Sequence, residues 1–156
     1  PKSFYTKGIK VITVPLMRSF PGAKTINYIP GIMALNQARK KKAVEAIYRN
    51  EKGEVFEGTT TNFFIFKKNV LITPKDGILS GITREIVLKL AEKEFKIELR
   101  PIKYQELKTI DEAFITASNK EIMPVSKIDD IIVGNGKVGE KTKRLMELFK
   151  KYTLLS

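Results

Sequence analysis

The chain has 156 residues, with 29 Lys and Arg against 17 Asp and Glu for a formal net charge of +12, and it contains neither Cys nor His. These counts exclude a disulfide framework and thiolate zinc sites, and they remove the imidazole base and the cysteine nucleophile from any mechanism. No apolar run approaches the roughly 18 residues of a membrane span. We therefore expect one soluble domain with no metal site, no membrane partner and a cytoplasmic location. The cytoplasmic expectation also follows from a start without a signal-peptide pattern. Because Pro1 stands in place of Met, we further expect the chain to be part of a longer polypeptide.

The predicted elements mix strands with three helices. The helix predicted from Asn27 to about Lys42 would bury Ile32, Leu35 and Ala38, with Ala34 beside them, since these apolar residues recur at helical spacing. The other predicted helices run from Ile82 to about Glu94 and from Glu140 to Tyr152. The predicted strands are Ile9–Val14, a hairpin around Asn50 to Gly53, Asn62–Phe66, Val70–Ile72, Lys96–Leu99, Asp111–Thr116 and Ile131–Val133. This succession predicts an α/β domain whose mixed sheet curls into a partial barrel with flanking helices, with the strand order left open.

Lys24 and Glu57 are the first two residues that could carry chemistry. A Pro-Gly turn delivers Lys24 to the start of the first long helix, a defined position of the kind that a Schiff-base lysine needs. An ordinary loop lysine is the alternative interpretation. Glu57 closes a strand and is followed by Gly and four small polar residues, Thr59 to Asn62. A buried carboxylate with fixed partners and a plain polar turn are both compatible with this pattern.

Two further segments are suited to binding an anion. Gly81 to Thr83 open a helix, where backbone N–H groups and the positive end of the helix dipole favour negative charge. Ser80 or Thr83 could instead be a simple N-cap. In the segment that begins at Thr116, the small polar residues Thr116, Ser118 and Asn119 follow a strand and could donate to a phosphate. Taken together, the lysine, the carboxylate and the two small-residue loops indicate a phosphorylated aldehyde such as pyridoxal phosphate.

The order of these motifs resembles the class IV pyridoxal-phosphate aminotransferases, which include branched-chain and D-amino acid aminotransferases and aminodeoxychorismate lyases. The resemblance runs from about Tyr5 to Tyr152. The motifs are Lys24-x-x-Asn27-Tyr28, Glu57-Gly58 with Asn62-Phe63, Gly81-Ile82-Thr83-Arg84, and Asp111-Glu112-x-Phe114 followed by Glu121-Ile122-x-Pro124-Val125. The resemblance implies a single cofactor-binding domain over residues 1–156, an α/β pseudo-barrel that forms the second half of a longer, homodimeric enzyme.

The resemblance also implies a role for each matching residue. Lys24 corresponds to the Schiff-base lysine and Glu57 to the carboxylate paired with the pyridine nitrogen. Tyr28 is similar to the tyrosine at the phenolic oxygen of the cofactor, and Leu79 to the apolar residue on its ring. Ile82, Thr83 and Ser118 correspond to phosphate-binding residues, and Asn119 and Arg18 complete the predicted site. Ala117-Ser118-Asn119 replaces the frequent Gly-Thr-Ala, a departure that bears on substrate choice.

Three functions remain open on the sequence. The resemblance favours amino-group transfer between an amino acid, of the branched-chain type, and a 2-oxo acid. A lyase of the aminodeoxychorismate type would use the same cofactor. A basic nucleic-acid-binding module would account for the net charge and for the run Arg39 to Lys42, although the chain has no aromatic-interleaved motif of the kind that single-strand binders use. We expect small-molecule substrates and no nucleic acid.

Overall fold

A computed structural model describes residues 1–17 and 28–155. The helices are α1 (Lys2–Lys7), α2 (Ile29–Lys40), α3 (Ile82–Ala91) and α4 (Glu140–Leu155), with a 3₁₀ helix at Tyr104–Thr109. The strands are β1 (Ile9–Val14), β2 (Glu45–Arg49), β3 (Glu54–Gly58), β4 (Asn62–Lys67), β5 (Val70–Thr73), β6 (Lys96–Leu99), β7 (Ile102–Lys103), β8 (Glu112–Ala117), β9 (Glu121–Ile128) and β10 (Ile131–Ile132).

The strands form one mixed sheet that closes on itself. The order is β6-β5-β4-β8-β9-β1-β2-β3-β7, and β3 also pairs with β4. This extra pairing joins Glu57 to Asn62 and turns β4, β8, β9, β1, β2 and β3 into a closed ring. The parallel neighbours of β1 are β2 and β9, whereas β8 pairs antiparallel with both β4 and β9. The predicted curled mixed sheet with flanking helices is confirmed.

The wall of the barrel is buried on both faces, and β4 shows why its sequence is continuously apolar. Phe63 and Ile65 belong to the cluster that fills the barrel, together with Val11, Ile47 and Ile115. The alternate residues of β4, Phe64 and Phe66, belong to a second hydrophobic cluster, which lies beneath α3 and α4. A strand covered on both faces reads as an unbroken hydrophobic run instead of an alternating one.

Helix α2 lies against the barrel through small residues. Ala34 and Ala38 are fully buried beside Ile12 and Tyr48, whereas Ile32 is 54% exposed. The prediction that Ile32 faces the core was therefore wrong, because the contact face of α2 is set by its alanines. Asn27, the first residue of the predicted helix, lies outside the described residues.

Strand β9 and helix α1 were not predicted. Strand β9 begins at Glu121, which has a φ of 54°, and it contains Pro124. A proline within a run argues against an inner strand, yet Pro124 here is in register with Phe114 of β8. The short helix α1 precedes β1 and contributes no fully buried residue. In the described ranges, no helix combines the length and apolar character that crossing a membrane requires.

Candidate active site

Four segments that are distant in sequence meet around one cavity of about 360 Å³. They are the residue before α2, the β3–β4 turn with the end of β3, the connector into α3, and the β8–β9 turn. The lining residues are Tyr28, Glu57, Thr59, Thr60, Thr61, Asn62, Leu79, Gly81, Ile82, Thr83, Thr116, Ala117, Ser118 and Asn119. The cavity therefore lies where the barrel closes, beside the pair Glu57 and Asn62.

The carboxylate of Glu57 is held in a fixed position in the wall of this cavity. Its side chain is 2% exposed. The backbone N–H of Leu79 donates to Oε2 over 3.0 Å, and Nδ2 of Asn62 lies 3.5 Å from the same oxygen. Asn62 also donates to the carbonyl of Leu79 over 2.7 Å, so it ties the connector to the strand. The alternative of a plain polar turn does not describe this buried, multiply bonded carboxylate.

Helix α3 starts at the cavity without a side-chain cap. Its N-cap is Gly81, and no described side chain caps the helix. Ser80 donates to Glu85 instead, so the N-cap interpretation of Ser80 and Thr83 was wrong. The N–H groups of the first turn have no acceptor within the helix, and together with the helix dipole they favour an anion. A Cβ at Gly81 would collide with Oδ1 of Asn62, so glycine is required for this close approach.

The end of β8 brings a buried hydroxyl to the same place. Thr116 is 1% exposed and lies opposite Asn62 in the sheet. Its Oγ1 has no hydrogen-bond partner among residues 1–17 and 28–155. A buried hydroxyl without a partner costs free energy, so such an atom in a cavity wall points to a ligand or water that completes it.

The β3–β4 turn is organised from beneath by Glu45, which is fully buried at the start of β2. Its two carboxylate oxygens accept hydrogen bonds from the hydroxyls of Thr59, Thr60 and Thr61 at 2.7 to 3.2 Å. A Cβ at Gly58 would lie 2.9 Å from Cγ of Glu45, so the glycine leaves room for this carboxylate. Sequence reasoning missed Glu45; the available signal was a single acid inside the apolar run at positions 43–48.

The structure brings together seven of the nine residues predicted for the site. Those that line the cavity are Tyr28, Glu57, Leu79, Ile82, Thr83, Ser118 and Asn119. Lys24 and Arg18 lie outside the described residues, and the role of each predicted residue stays a prediction. Among the residues that the structure describes, no three His, Cys, Asp or Glu side chains are grouped to hold a metal ion.

Curated relatives match almost the whole of this chain. A Methanocaldococcus jannaschii protein provisionally named a branched-chain-amino-acid aminotransferase is 42% identical over an alignment of 151 positions that covers 92% of this chain and 52% of the relative. A D-alanine aminotransferase of Staphylococcus aureus is 35% identical over an alignment of 159 positions, gaps included, that covers 97% of this chain and 55% of that protein. The chain thus spans about half the length of these relatives.

Solved structures agree with this match, and so does a family model. The T.th. branched-chain amino acid aminotransferase with pyridoxamine 5′-phosphate superposes with a TM-score of 0.90 at 29% identity, over 97% of this chain and 52% of that one. The enzyme of Thermoproteus uzoniensis with norvaline gives 0.86 at 34% identity, over 94% and 51%. The model of the family Amino-transferase class IV matches residues 2–128. The chain therefore belongs to the class IV aminotransferase family.

Proposed function

We propose that the protein containing this chain uses pyridoxal phosphate to transfer an amino group between an amino acid, of the branched-chain type, and a 2-oxo acid. The observation that carries the proposal is the cavity itself. Residues from four separate segments, singled out by sequence alone, line one space beside a buried carboxylate and an uncapped helix start. The similarity to proteins named as aminotransferases favours this function over a lyase or a nucleic-acid-binding module.

The described residues fit the phosphate of this cofactor. The start of α3 offers backbone N–H groups, and Thr83 and Ser118 add hydroxyls from two sides of the cavity. Thr116 adds a buried hydroxyl that is without a partner among the described residues. The absence of a side chain at Gly81 lets Asn62 pack against the start of α3. The N–H groups and hydroxyls suit a compact, strongly accepting anion.

The remaining wall fits the ring of the cofactor. Bound pyridoxal phosphate supplies an aldehyde that takes up the amino group and a ring that accepts electron density from the substrate carbon. Glu57 would hold a proton at the ring nitrogen, and its bonds to Leu79 and Asn62 orient the carboxylate for that task. Leu79 would cover one ring face, and Tyr28 would meet the phenolic oxygen. Lys24, outside the described residues, is proposed as the covalent anchor that moves the proton.

We further propose that residues 1–156 form one cofactor-binding domain of a longer cytoplasmic homodimer. The share of the relatives that the chain spans supports a longer protein. The exposure of large apolar side chains at the cavity and on α2 also supports a longer protein, since Ile82 is 75% exposed, Ile29 68% and Met33 59%. We propose that the region present in the relatives and outside these 156 residues covers them. The cytoplasmic location is proposed from the absence of cysteine.

The test is to map where the cofactor attaches. The purified chain is incubated with pyridoxal phosphate, reduced with borohydride and digested, and the labelled peptide is identified by mass spectrometry. We expect dominant labelling at Lys24, loss of labelling in Lys24→Ala, and unchanged labelling in Lys7→Ala, which changes an exposed lysine of α1. Labelling scattered over surface lysines, in this chain and in a longer form, would overturn the proposal.

Substrate class is tested separately, by supplying 2-oxoglutarate as amino acceptor and following the 2-oxo acid that forms from L-leucine and from D-alanine. We expect the longer protein to prefer L-leucine. We expect the 156-residue chain alone to bind the cofactor weakly and to turn over poorly, because part of the pocket lies outside it. Preference for D-alanine would redirect the substrate assignment while leaving the cofactor site in place.

A further inference from the structure

Two of the turns that line the cavity are joined by residues that do not line it. The β3–β4 turn contributes the threonines at positions 59–61, and the β8–β9 turn contributes Ser118 and Asn119. Strands β4 and β8 pair up to Asn62 and Thr116, and both turns lie beyond that last pair of the ladder. Side chains are therefore what connects one turn to the other.

The link begins at Glu45, beneath the β3–β4 turn. One carboxylate oxygen accepts from the N–H and the hydroxyl of Thr59 at 3.2 and 2.7 Å, and from the N–H of Ala46 at 2.9 Å. The other oxygen accepts from the hydroxyls of Thr60 and Thr61, each at 3.2 Å. A fully buried carboxylate with this many donors is well compensated for the loss of water.

The link continues through Lys120 in the β8–β9 turn. Its ammonium donates to Oγ1 of Thr60 over 3.0 Å and lies 3.9 Å from Oε2 of Glu45. The backbone of Lys120 is itself fixed, since its N–H donates to the carbonyl of Ala117 and its own carbonyl accepts from the hydroxyl of Tyr5 over 3.0 Å. The lysine therefore reaches from a rigid turn into the other turn.

We propose that Glu45 and Lys120 are positioning residues that hold the two turns as one unit and so set the width of the cavity. Thr60 is the shared contact, since its hydroxyl donates to Glu45 and accepts from Lys120. The consequence for cofactor binding rests on the proposed function; the coupling of the turns does not.

Hydrogen exchange measured by mass spectrometry tests the coupling, with each substitution monitored in the opposite turn. Lys120→Met keeps the aliphatic stem and removes the ammonium, and Thr60→Val keeps the shape and removes the hydroxyl. We expect Lys120→Met to speed exchange about fivefold in residues 57–62, and Thr60→Val to do the same in residues 117–121. Lys120→Arg should restore slow exchange. These two variants are preferred to Glu45→Gln, which replaces one acceptor oxygen by a donor that faces at least two of the donors now bound to Glu45, and so endangers folding.

The matched control is Lys103→Met, which breaks the 2.7 Å ion pair with Glu54 at a distance from both turns. It should leave both turns unchanged. Changes confined to the substituted turn, or no change at all, would overturn the inference. In a parallel titration, both variants should weaken pyridoxal phosphate binding about threefold to tenfold. If neither this chain nor the longer wild-type protein takes up pyridoxal phosphate, the proposed function fails, while the exchange data still decide whether the turns are coupled.

Discussion

Replacing Thr116 by valine should raise stability without ligand and lower affinity for the cofactor. The hydroxyl is 1% exposed and has no partner in the described part of the chain. An unpaired buried hydroxyl costs about 1–3 kcal/mol, and valine has nearly the same shape. We therefore expect Thr116→Val to raise the free energy of unfolding of the cofactor-free protein by about 1–2 kcal/mol. For a chain of this size that corresponds to a rise in Tm of roughly 2–8 °C.

When pyridoxal phosphate is present, the stabilisation by Thr116→Val should be offset or turned into a loss of stability. A hydroxyl that donates to a phosphate makes a charge-assisted bond of about 1.5–3 kcal/mol, so its loss should weaken binding about 10-fold to 100-fold. The assay combines thermal unfolding at zero and saturating cofactor with a spectroscopic titration. The crossing of the two effects is specific to a ligand contact, because a purely structural hydroxyl would move both quantities in the same direction.

The matched control is Thr73→Val in β5, two strands away from β8 in the same sheet. Thr73 is also fully buried, but its hydroxyl donates to the carbonyl of Phe63 over 2.8 Å. We expect this variant to lose about 0.5–1.5 kcal/mol of stability. Equal destabilisation by both valine substitutions, with cofactor affinity unchanged by Thr116→Val, would refute the reasoning.

Three further predictions concern the frame of the site. Glu112→Ala should cost about 2–4 kcal/mol in denaturant unfolding, since this buried carboxylate accepts from the N–H and hydroxyl of Thr142, each over 2.7 Å, at the start of α4; an unchanged midpoint would contradict it. Burial and then the hydrogen bond to Asp129 raise the pKa of Tyr104 above 10.0. The neutral phenol therefore contributes its full share of folding stability below pH 10, and that share declines above pH 10. The stability gap between wild type and Tyr104→Phe should therefore narrow on titration above pH 10, and a constant gap would count against this. Gly81→Ala should lower cofactor affinity in the same titration as Asn62 is displaced, and normal affinity would show that the wall yields.

The sequence was sufficient to predict residues in the cavity wall, but not the buried residue that supports the β3–β4 turn. Glu57 and the start of α3 were predicted because small or polar residues stand directly beside each of them in the sequence. Glu45 was not, because its partners at positions 59–61 are supplied by the return of the chain in β3 and β4. Thr116 was predicted as a small hydroxylated residue at a strand end, but the lack of a partner for its hydroxyl among the described residues is a property of the packed sheet that the sequence does not show.

Propensity explains the errors in the fold. Pro124 obscured β9, although the strand is fixed by pairing with β8 on one side and β1 on the other. In α2, the size of the side chain determines which residues are buried. The helix lies close to the barrel wall, so Ala34 and Ala38 fit against it and the larger Ile32 is exposed. In both places tertiary contacts outweighed the local preference.

The pairing of β1 with β9 has a consequence for how the chain folds. Ile9 is in register with Val125, and Val11 with Ile128, so the ring joins its first strand to one that is made more than 100 residues later. Contacts of such long sequence separation slow folding, because the entropy of closing the loop is lost before the contact forms. During synthesis, one edge of the apolar strand Ile9–Val14 stays unpaired until residue 128 has left the ribosome. Recombinant yield should therefore respond to chaperones and to temperature more strongly than the stability of the finished barrel would suggest.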